Sequence, residues 1–295
     1  MIPRFSLARP DNIAEAFEAH AAANGEGAYY AGGTELLQVM KMGLAQFSTL
    51  IDLKGIEELR GISQDADDRL RIGASTTHRQ IERSPIVRER LPALARLETE
   101  VANVRVRNAG TIGGNLAFAE PHSDPATFLL ASDAELELAS PTGRRTMGVA
   151  DFVLGPLFTS REPDEILVAI RVPAARPGEG RGYAKIRFFE RPAASVAVRL
   201  RVSDGHVSEA TVVVGSLTEV PLSVPGAADR LVGATVEGPG SDGSIDAAVG
   251  EARAAFGDLD VVPDLNGSAD YKRHLAGILL GRAVRDALPE VATHA

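Results

Sequence analysis

Two glycine pairs in the first half of the chain restrict its fold more than any other feature. They stand in the segment AGGTE at residues 31–35 and in the segment GTIGGN at residues 110–115. A glycine pair directly after a predicted strand lets the backbone turn sharply and bring its N–H groups close to an anion, because no Cβ blocks the approach. Thr34, Thr111 and Asn115 add polar side chains beside these amides. Each pair alone is typical of an ordinary tight turn, but the two together favour a clamp that grips a pyrophosphate from two sides.

Composition removes several classes of function. The chain has 295 residues with 31 basic and 40 acidic side chains, and its formal net charge of −9 disfavours general binding to a nucleic-acid backbone. It contains no cysteine, so it holds neither a Cys-ligated iron–sulfur cluster nor a thiolate nucleophile. If the chain moves electrons, an organic cofactor must carry them. No apolar segment reaches the roughly 20 residues of a membrane span, and the N-terminus lacks a signal-like apolar region, so we expect a cytoplasmic protein.

The periodicity of the first half predicts alternating short helices and strands. Asp11 is a candidate cap for the first helix. Further helices are predicted at residues 35–42 and 91–101, and strands at residues 28–31, 49–53, 70–73, 134–139 and 165–172. The first half is therefore expected to be a mixed domain of helices and strands.

The clearest break in composition lies at residues 173–182, where three glycines and two prolines occur in ten residues. Because these residues interrupt regular elements, we place a domain boundary there, outside any helix or strand. The residues beyond it predict strands first, with a hairpin turn at Asp204 and Gly205, and helices afterwards. The strands are predicted at residues 183–189, 195–202 and 210–215, and the helices at residues 245–256 and from residue 268 onward.

Other nucleotide-binding and catalytic motifs fit the sequence less well. The segment GPGSDG at residues 238–243 formally matches G-x-G-x-x-G before a helix, but Pro239 is rigid and no return strand for a βαβ unit follows. The chain has no Gly-Lys dipeptide, no H-E-x-x-H motif and no G-x-S-x-G motif. P-loop, metalloprotease and serine-hydrolase interpretations therefore lack support.

A polar loop at residues 119–125 and a single lysine each allow two interpretations. The loop carries groups that could meet a cofactor, or it could be a surface loop in which Ser123 or Asp124 caps the next helix; His122 is the weakest of these candidates, since a loop histidine is usually solvated. Lys185 lies in a strand-like segment. Its ammonium could face a cleft between domains and stabilise an anionic reduced cofactor, or its stem could extend to solvent.

Taken together, these segments resemble the FAD-binding medium subunit of molybdenum hydroxylases, the family of xanthine dehydrogenase and carbon monoxide dehydrogenase. The string RNAGTIGGNL at residues 107–116 is the most specific part of the likeness. The other matching segments are AGGTELL at residues 31–37, the pairs at residues 73–74 and 123–124, and residues 164–167, 183–185 and 271–282.

The resemblance implies an α+β fold: a two-lobed FAD-binding domain of the vanillyl-alcohol-oxidase type, also called PCMH-type, followed by a smaller α+β domain with an antiparallel sheet plus helices. The FAD-binding domain would span residues 1–175, with lobes at about 1–57 and 58–175, and the C-terminal domain residues 180–289. Tyr183 could shield the flavin ring, and no catalytic or metal-ligating residue is implied on this chain. The implied cofactor-binding residues are Tyr29, Tyr30, Ala31, Gly32, Gly33, Thr34, Glu35, Leu36, Val101, Thr111, Ile112, Gly113, Gly114, Asn115, Asp124, Leu167, Tyr183 and Lys185.

The resemblance also implies partners. A large subunit would oxidise the substrate at a molybdopterin centre, and a small subunit with two iron–sulfur clusters of the 2Fe–2S type would pass single electrons to FAD. FAD would deliver them to NAD, a quinone, oxygen or another acceptor, in a dimer of heterotrimers. Because the chain has no cysteine, the clusters must lie on another chain.

One departure from the family pattern bears on the substrate. Thr34 and Glu35 stand where carbon monoxide dehydrogenases typically have His-Ser, so we expect an N-heterocycle, a purine or an aldehyde rather than CO. Two alternatives remain open at this point. One is a self-contained flavin reductase or oxidase of the same fold, and the other is an interaction module that binds no nucleotide.

Overall fold

A small parallel sheet begins the computed structural model, which describes residues 2–236 and 241–293. Its strands lie in the order β1-β3-β2, and both pairs are parallel. Its elements are β1 (Ser6–Ala8), α1 (Ile13–Ala22), β2 (Gly27–Tyr30), α2 (Leu36–Lys41) and β3 (Thr49–Asp52), followed by 3₁₀ turns at Leu53–Gly55 and Glu57–Leu59. The predicted cap Asp11 is wrong, since the side chain of Asn12 accepts the N–H of Glu15 at 2.9 Å.

A five-stranded antiparallel sheet with helices follows, in the strand order β4-β5-β10-β6-β7. The strands and helices predicted for the first half are confirmed to within one residue at each end. The elements are β4 (Ile62–Gln64), β5 (Leu70–Gly73), α3 (His78–Arg83), α4 (Pro85–Arg90), α5 (Pro92–Glu100), α6 (Val104–Ala109), α7 (Ile112–Phe118), α8 (Asp124–Ala131), β6 (Glu135–Ser140), β7 (Gly143–Gly148), α9 (Val149–Phe152), β8 (Val153–Gly155), β9 (Phe158–Thr159) and β10 (Ile166–Val172). We call β1 to β10 the N-terminal unit.

Strand β10 joins the two lobes of this unit. Its sequence ILVAIRV is apolar nearly throughout, because both faces of the strand are buried. Leu167 and Ile170 belong to the core that packs against the helices of the larger lobe, whereas Ile166 and Val168 pack with Ile51 of the first lobe. Each lobe therefore completes its core on one face of the same strand.

The remainder of the chain, the C-terminal unit, is a four-stranded antiparallel sheet covered by helices. The predicted hairpin turn is confirmed, since Asp204 and Gly205 have φ values of 52° and 74°, as a two-residue turn with both central residues at positive φ requires. The α+β class expected from the sequence is also confirmed. The elements are β11 (Glu179–Arg187), β12 (Pro192–Ser203), β13 (His206–Gly215), β14 (Leu222–Ser223), α10 (Pro225–Leu231), α11 (Ser241–Ala252), a 3₁₀ turn (Arg253–Phe256) and α12 (Ala269–Thr293).

Contrary to the prediction, the glycines just before residue 183 do not all interrupt regular structure. Strand β11 begins at Glu179, so Gly180 and Gly182 lie inside a regular element. A Cβ on Gly182 would collide with the carbonyl oxygen of Ala283, and one on Gly180 with that of Ala287. These glycines let helix α12 lie directly against the strand backbone. The rejected motif at residues 238–243 lies in part outside the described residues. None of the helices within the described ranges is long and apolar enough to cross a bilayer.

We expect Gly182→Ala to destabilise the protein by about 1–3 kcal/mol, because the added methyl group forces α12 away from β11. Gly250→Ala in helix α11 is the matched control, since a Cβ there meets no atom within 4 Å and alanine favours a helix over glycine by roughly 1 kcal/mol. Urea unfolding of both variants measures the difference. Equal stability of Gly182→Ala and the unchanged protein would contradict the packing role.

Candidate functional site

A cavity of about 540 Å³ lies where the two lobes and the C-terminal unit meet. Segments from all three parts of the fold line it. The predicted site residues on its walls are Tyr29, Ala31, Gly32, Gly33, Thr34, Glu35, Leu36, Val101, Thr111, Gly113, Gly114, Asn115, Asp124 and Leu167. Tyr30, Ile112, Tyr183 and Lys185 are not among the lining residues. The structure thus brings most of the predicted set to one cavity, while contact of any of them with a cofactor stays a prediction.

The first glycine loop presents free amides to this cavity. The N–H groups of Gly32, Gly33 and Thr34 donate to no acceptor within residues 2–236 and 241–293. Gly33 has a φ of +69°, which favours glycine, and a Cβ there would collide with the ring of Tyr30. Tyr30 therefore supports the loop from behind, while the loop offers its donors to an anion.

The second glycine loop differs from the first in that its amides already have acceptors within the protein. The amides of Ile112 and Gly113 donate to the carbonyls of Thr76 and Ala74 at 3.1 and 2.9 Å, and the amide of Gly114 donates to Oγ1 of Thr111 at 3.1 Å. These N–H groups are therefore not free for an anion. A Cβ on Gly113 would collide with Ala74, so the glycine serves close packing.

The two loops touch each other directly. A Cβ on Gly32 would collide with the carbonyl oxygen of Ala109 and lie 2.6 Å from Cα of Gly110. Such an approach is open only to glycine. The free amides of the first loop therefore lie beside the second loop.

The stem of Lys185 does not extend to solvent, and the other interpretation, an ammonium that acts on the cofactor, stays a prediction. Its side chain is 1% exposed, and Nζ donates to Oδ2 of Asp124 at 2.7 Å and to the carbonyl of Glu100 at 2.9 Å. The hydroxyl of Tyr183 donates to the other oxygen of Asp124, and burial, followed by this carboxylate, raises the pKa of Tyr183. Ser123 caps α8 as predicted. Lys185 and Tyr183 therefore stand behind Asp124, which itself lines the cavity.

Charged side chains from both units cross the mouth of the cavity. Nη2 of Arg191 donates to Oε1 of Glu35 at 3.2 Å, and its Nη1 donates to Oε1 of Glu120 at 3.0 Å. The two ring nitrogens of His122 lie 2.8 Å from Oε1 of Glu120 and 2.8 Å from Oδ2 of Asp264. Arg191 and Asp264 belong to the C-terminal unit, so these pairs connect it to the N-terminal unit.

This network favours the charged form of His122. The hydrogen bond with Glu120 raises the pKa of His122 above 6.5, burial opposes the rise, and Asp264 adds to it. Burial would raise the pKa of Asp264, but hydrogen bonds from Lys272 and His122 outweigh it and hold the pKa at about 2. The pKa of Glu120 is lowered as well: burial opposes this change, but His122 and Arg191 outweigh it. The loop histidine that seemed the weakest candidate is therefore a bridge between two carboxylates.

Another part of the wall adds His20 and Arg161, which the sequence did not indicate, to the predicted residue Tyr29. The rings of His20 and Tyr29 stack with centroids 4.8 Å apart and an interplanar angle of 18°. Arg161 lies at the same wall and donates to the carbonyl of Glu165 at 2.8 Å. Burial lowers the pKa of Arg161 and raises that of Tyr29. With free amides nearby, this wall fits a dinucleotide that has a planar ring next to its phosphates.

Two family models match the chain. One, described as the FAD binding domain in molybdopterin dehydrogenase, matches residues 3–175, and the other, described as the CO dehydrogenase flavoprotein C-terminal domain, matches residues 187–287. The chain is 35% identical to the carbon monoxide dehydrogenase medium chain of Hydrogenophaga pseudoflava, over 97% of each chain. It is 32% identical to the nicotine 6-hydroxylase medium subunit of Paenarthrobacter nicotinovorans, over 97% of this chain and 98% of that one.

A solved structure has the same fold. It is a carbon monoxide dehydrogenase from Hydrogenophaga pseudoflava that lacks the Mo-pyranopterin moiety of its molybdenum cofactor. The TM-score is 0.90 at 34% identity, and the match covers 98% of this chain and 99% of that one. The likeness therefore extends over both units of the chain.

The bridge at His122 predicts a stability that falls at alkaline pH. Because folding raises its pKa, its contribution is fully present below about 6.5 and is lost as the pH rises through the folded-state pKa. We expect the melting temperature of the unchanged protein to drop more between pH 6 and pH 9 than that of His122→Gln. His206→Gln, at an exposed residue of β13, is the control and should follow the unchanged protein. Parallel pH profiles for His122→Gln and the unchanged protein would contradict the bridge.

Proposed function

The chain belongs to the family of FAD-binding medium subunits of molybdenum hydroxylases, and from this membership we propose that it is the electron-transfer subunit of a three-part enzyme. It accepts electrons from the iron–sulfur clusters of a small subunit and passes them to an external acceptor such as NAD, a quinone or oxygen. The observation that carries the proposal is the cavity between the two glycine loops in a chain without cysteine. Such a chain has a place for an organic redox cofactor but no ligands for Cys-bound iron–sulfur centres.

The wall residues fit FAD in a definite order. We assign the adenosine to the stacked rings of His20 and Tyr29, because a planar base stacks on such a surface. The free amides of Gly32 to Thr34 donate to the pyrophosphate. Asp124, with its paired lysine, faces the flavin end beneath the C-terminal unit. FAD, when bound, takes up electrons singly or in pairs and so connects one-electron and two-electron partners.

The proposed assembly contains a large molybdopterin subunit and a small iron–sulfur subunit, as a dimer of heterotrimers. Within it, residues 1–175 bind FAD and residues 180–289 cover it. Substrate is oxidised on the large subunit, so this chain contributes no catalytic residue to that step. The chain is 35% identical to a carbon monoxide dehydrogenase medium chain and 32% identical to a nicotine 6-hydroxylase medium subunit. These nearly equal identities do not decide between the two kinds of substrate. Thr34 and Glu35 support an N-heterocycle, a purine or an aldehyde as the substrate.

Expression of the chain alone and together with its two partners tests the proposal. We expect the isolated chain to bind FAD but not to bleach it with organic substrates, whereas the co-purified complex bleaches it and contains molybdenum and iron. The measurements are the visible flavin spectrum under anaerobic conditions and metal analysis. Turnover of a substrate by the isolated chain would favour the self-contained reductase or oxidase. A colourless isolated chain would favour the interaction module.

Lys185→Met should lower both the stability and the flavin potential. The substitution leaves the buried Asp124 carboxylate without its cation, which costs about 3–5 kcal/mol for a buried pair. The unpaired negative charge of Asp124 also disfavours the addition of electrons to a nearby flavin, which lowers the flavin potential. Thermal unfolding and a spectroscopic redox titration measure the two effects.

A double variant separates charge from packing in this experiment. Asp124→Asn with Lys185→Met removes both charges, so we expect the potential to return toward that of the unchanged protein. Lys41→Met is the control, because that lysine is an exposed residue at the end of α2. A folded Lys185→Met protein with an unchanged potential would remove the electrostatic role of Lys185.

A further inference from the structure

We propose that His78 is a further cofactor-binding residue, whose imidazole, held by the buried Glu98, donates a hydrogen bond to the pyrophosphate of FAD between the two glycine loops. The inference rests on the proposed function, since it takes FAD as the ligand. Neither residue is among the site residues that the sequence patterns or the family likeness indicated. The two are 20 positions apart in the chain and meet only in the folded protein.

Backbone pairing fixes His78 at the point where the loops meet. The segment before α3 pairs with the second glycine loop through an isolated bridge between Thr77 and Thr111. The amide of His78 donates to the carbonyl of Gly110 at 3.1 Å. A Cβ placed on Gly110 would lie 3.3 Å from Cδ2 of His78 and 3.4 Å from Oγ1 of Thr34. The imidazole is therefore a neighbour of the first loop as well as of the second.

Glu98 determines which way the imidazole points. Its side chain is fully buried, and its Oε2 lies 2.8 Å from Nδ1 of His78. Its Oε1 has no hydrogen-bond partner in the described part of the chain. A buried carboxylate with one partner is costly, and that partner must donate to it. Nδ1 of His78 therefore carries a hydrogen, and Nε2 is the nitrogen left for other contacts.

Nε2 is available to a ligand in the cavity. His78 is 2% exposed yet lines the cavity wall, and among residues 2–236 and 241–293 no group bonds to its Nε2. An imidazole with hydrogens on both nitrogens donates from Nε2 to an anion in the cavity.

An anion is the ligand that suits this position. The free amides of Gly32, Gly33 and Thr34 belong to the loop that also adjoins Gly110, and they too are donors. The carboxylates of the wall, in contrast, already have partners: Glu35 and Glu120 pair with Arg191, Asp124 pairs with Lys185, Glu165 pairs with Arg145, and Glu190 accepts a hydrogen bond from the side-chain amide of Asn103. A pyrophosphate therefore meets donors and no unpaired acid at the contact between the loops. Together His78 and the first loop supply donors to it.

His78→Asn tests the inference, because the amide nitrogen of asparagine replaces Nδ1 while nothing replaces Nε2. The bond to Glu98 is kept and the cavity-facing donor is lost. We expect FAD to bind the apoprotein about ten- to a hundred-fold more weakly, which corresponds to one charge-assisted hydrogen bond. The affinity for ADP should fall to the same extent, whereas the affinity for riboflavin, which has no phosphate, should not change. Fluorescence titration and calorimetry measure these constants, and the ³¹P resonances of bound FAD should shift.

Two further variants keep the test decisive. His206→Asn changes an exposed histidine of β13 and should leave all three affinities unaltered. Glu98→Gln removes the charge that holds the imidazole, and it should also weaken FAD and ADP but not riboflavin. Unchanged FAD affinity and ³¹P shifts in both His78→Asn and Glu98→Gln would overturn the role of His78 while leaving the proposed function in place. If the unchanged protein bound no FAD at all, the proposed function would fail together with this inference.

Discussion

The contact between the two glycine loops is the constraint on which the site depends. Gly32 of the first lobe lies against the backbone of Ala109 and Gly110 in the second, with no room for a side chain between them. This approach needs the lobes in a fixed relation, and strand β10 supplies it by completing the core of each lobe on a different face. The free amides of the first loop thus face a wall that the second lobe holds in place. Preorganised donors of this kind lose little entropy when a ligand binds.

The two glycine loops differ in whether their backbone amides have hydrogen-bond acceptors within the protein. The second loop runs beside residues 74–78. Its amides donate to carbonyls of that segment and to the side chain of Thr111, which caps α7, so the loop is a rigid wall. The first loop follows strand β2, and its amides at Gly32, Gly33 and Thr34 donate to no acceptor in the described part of the chain. These residues are partly buried, and an N–H group that is shielded from water without a partner is unfavourable. The first loop is therefore the part of the wall that gains most from an anionic ligand.

The sequence predicted the local elements well and the contacts between distant residues poorly. Apolar runs such as β10 and the turn at Asp204 and Gly205 depend on neighbours in the chain, and both were found. The glycines of β11 were misread as a break, because composition alone does not distinguish a flexible glycine from one under a packed helix. The contacts that complete the site were missed for another reason. Arg191 pairs with a carboxylate 156 positions away, and no local pattern encodes such a pair.

The charges around the cavity also explain why the two units must act together. Glu35, Glu120 and Asp124 belong to the N-terminal unit, and Arg191 and Lys185, which pair with them, belong to the C-terminal unit. The N-terminal unit alone would leave Glu35 and Asp124 without a cationic partner, and Glu120 with His122 only, at a site that binds an anionic dinucleotide, which is unfavourable at short range. Docking of the C-terminal unit neutralises these acids and covers the cavity in the same step. Affinity for the cofactor and closure over it therefore depend on the same ion pairs, which ties the binding site to the intact chain.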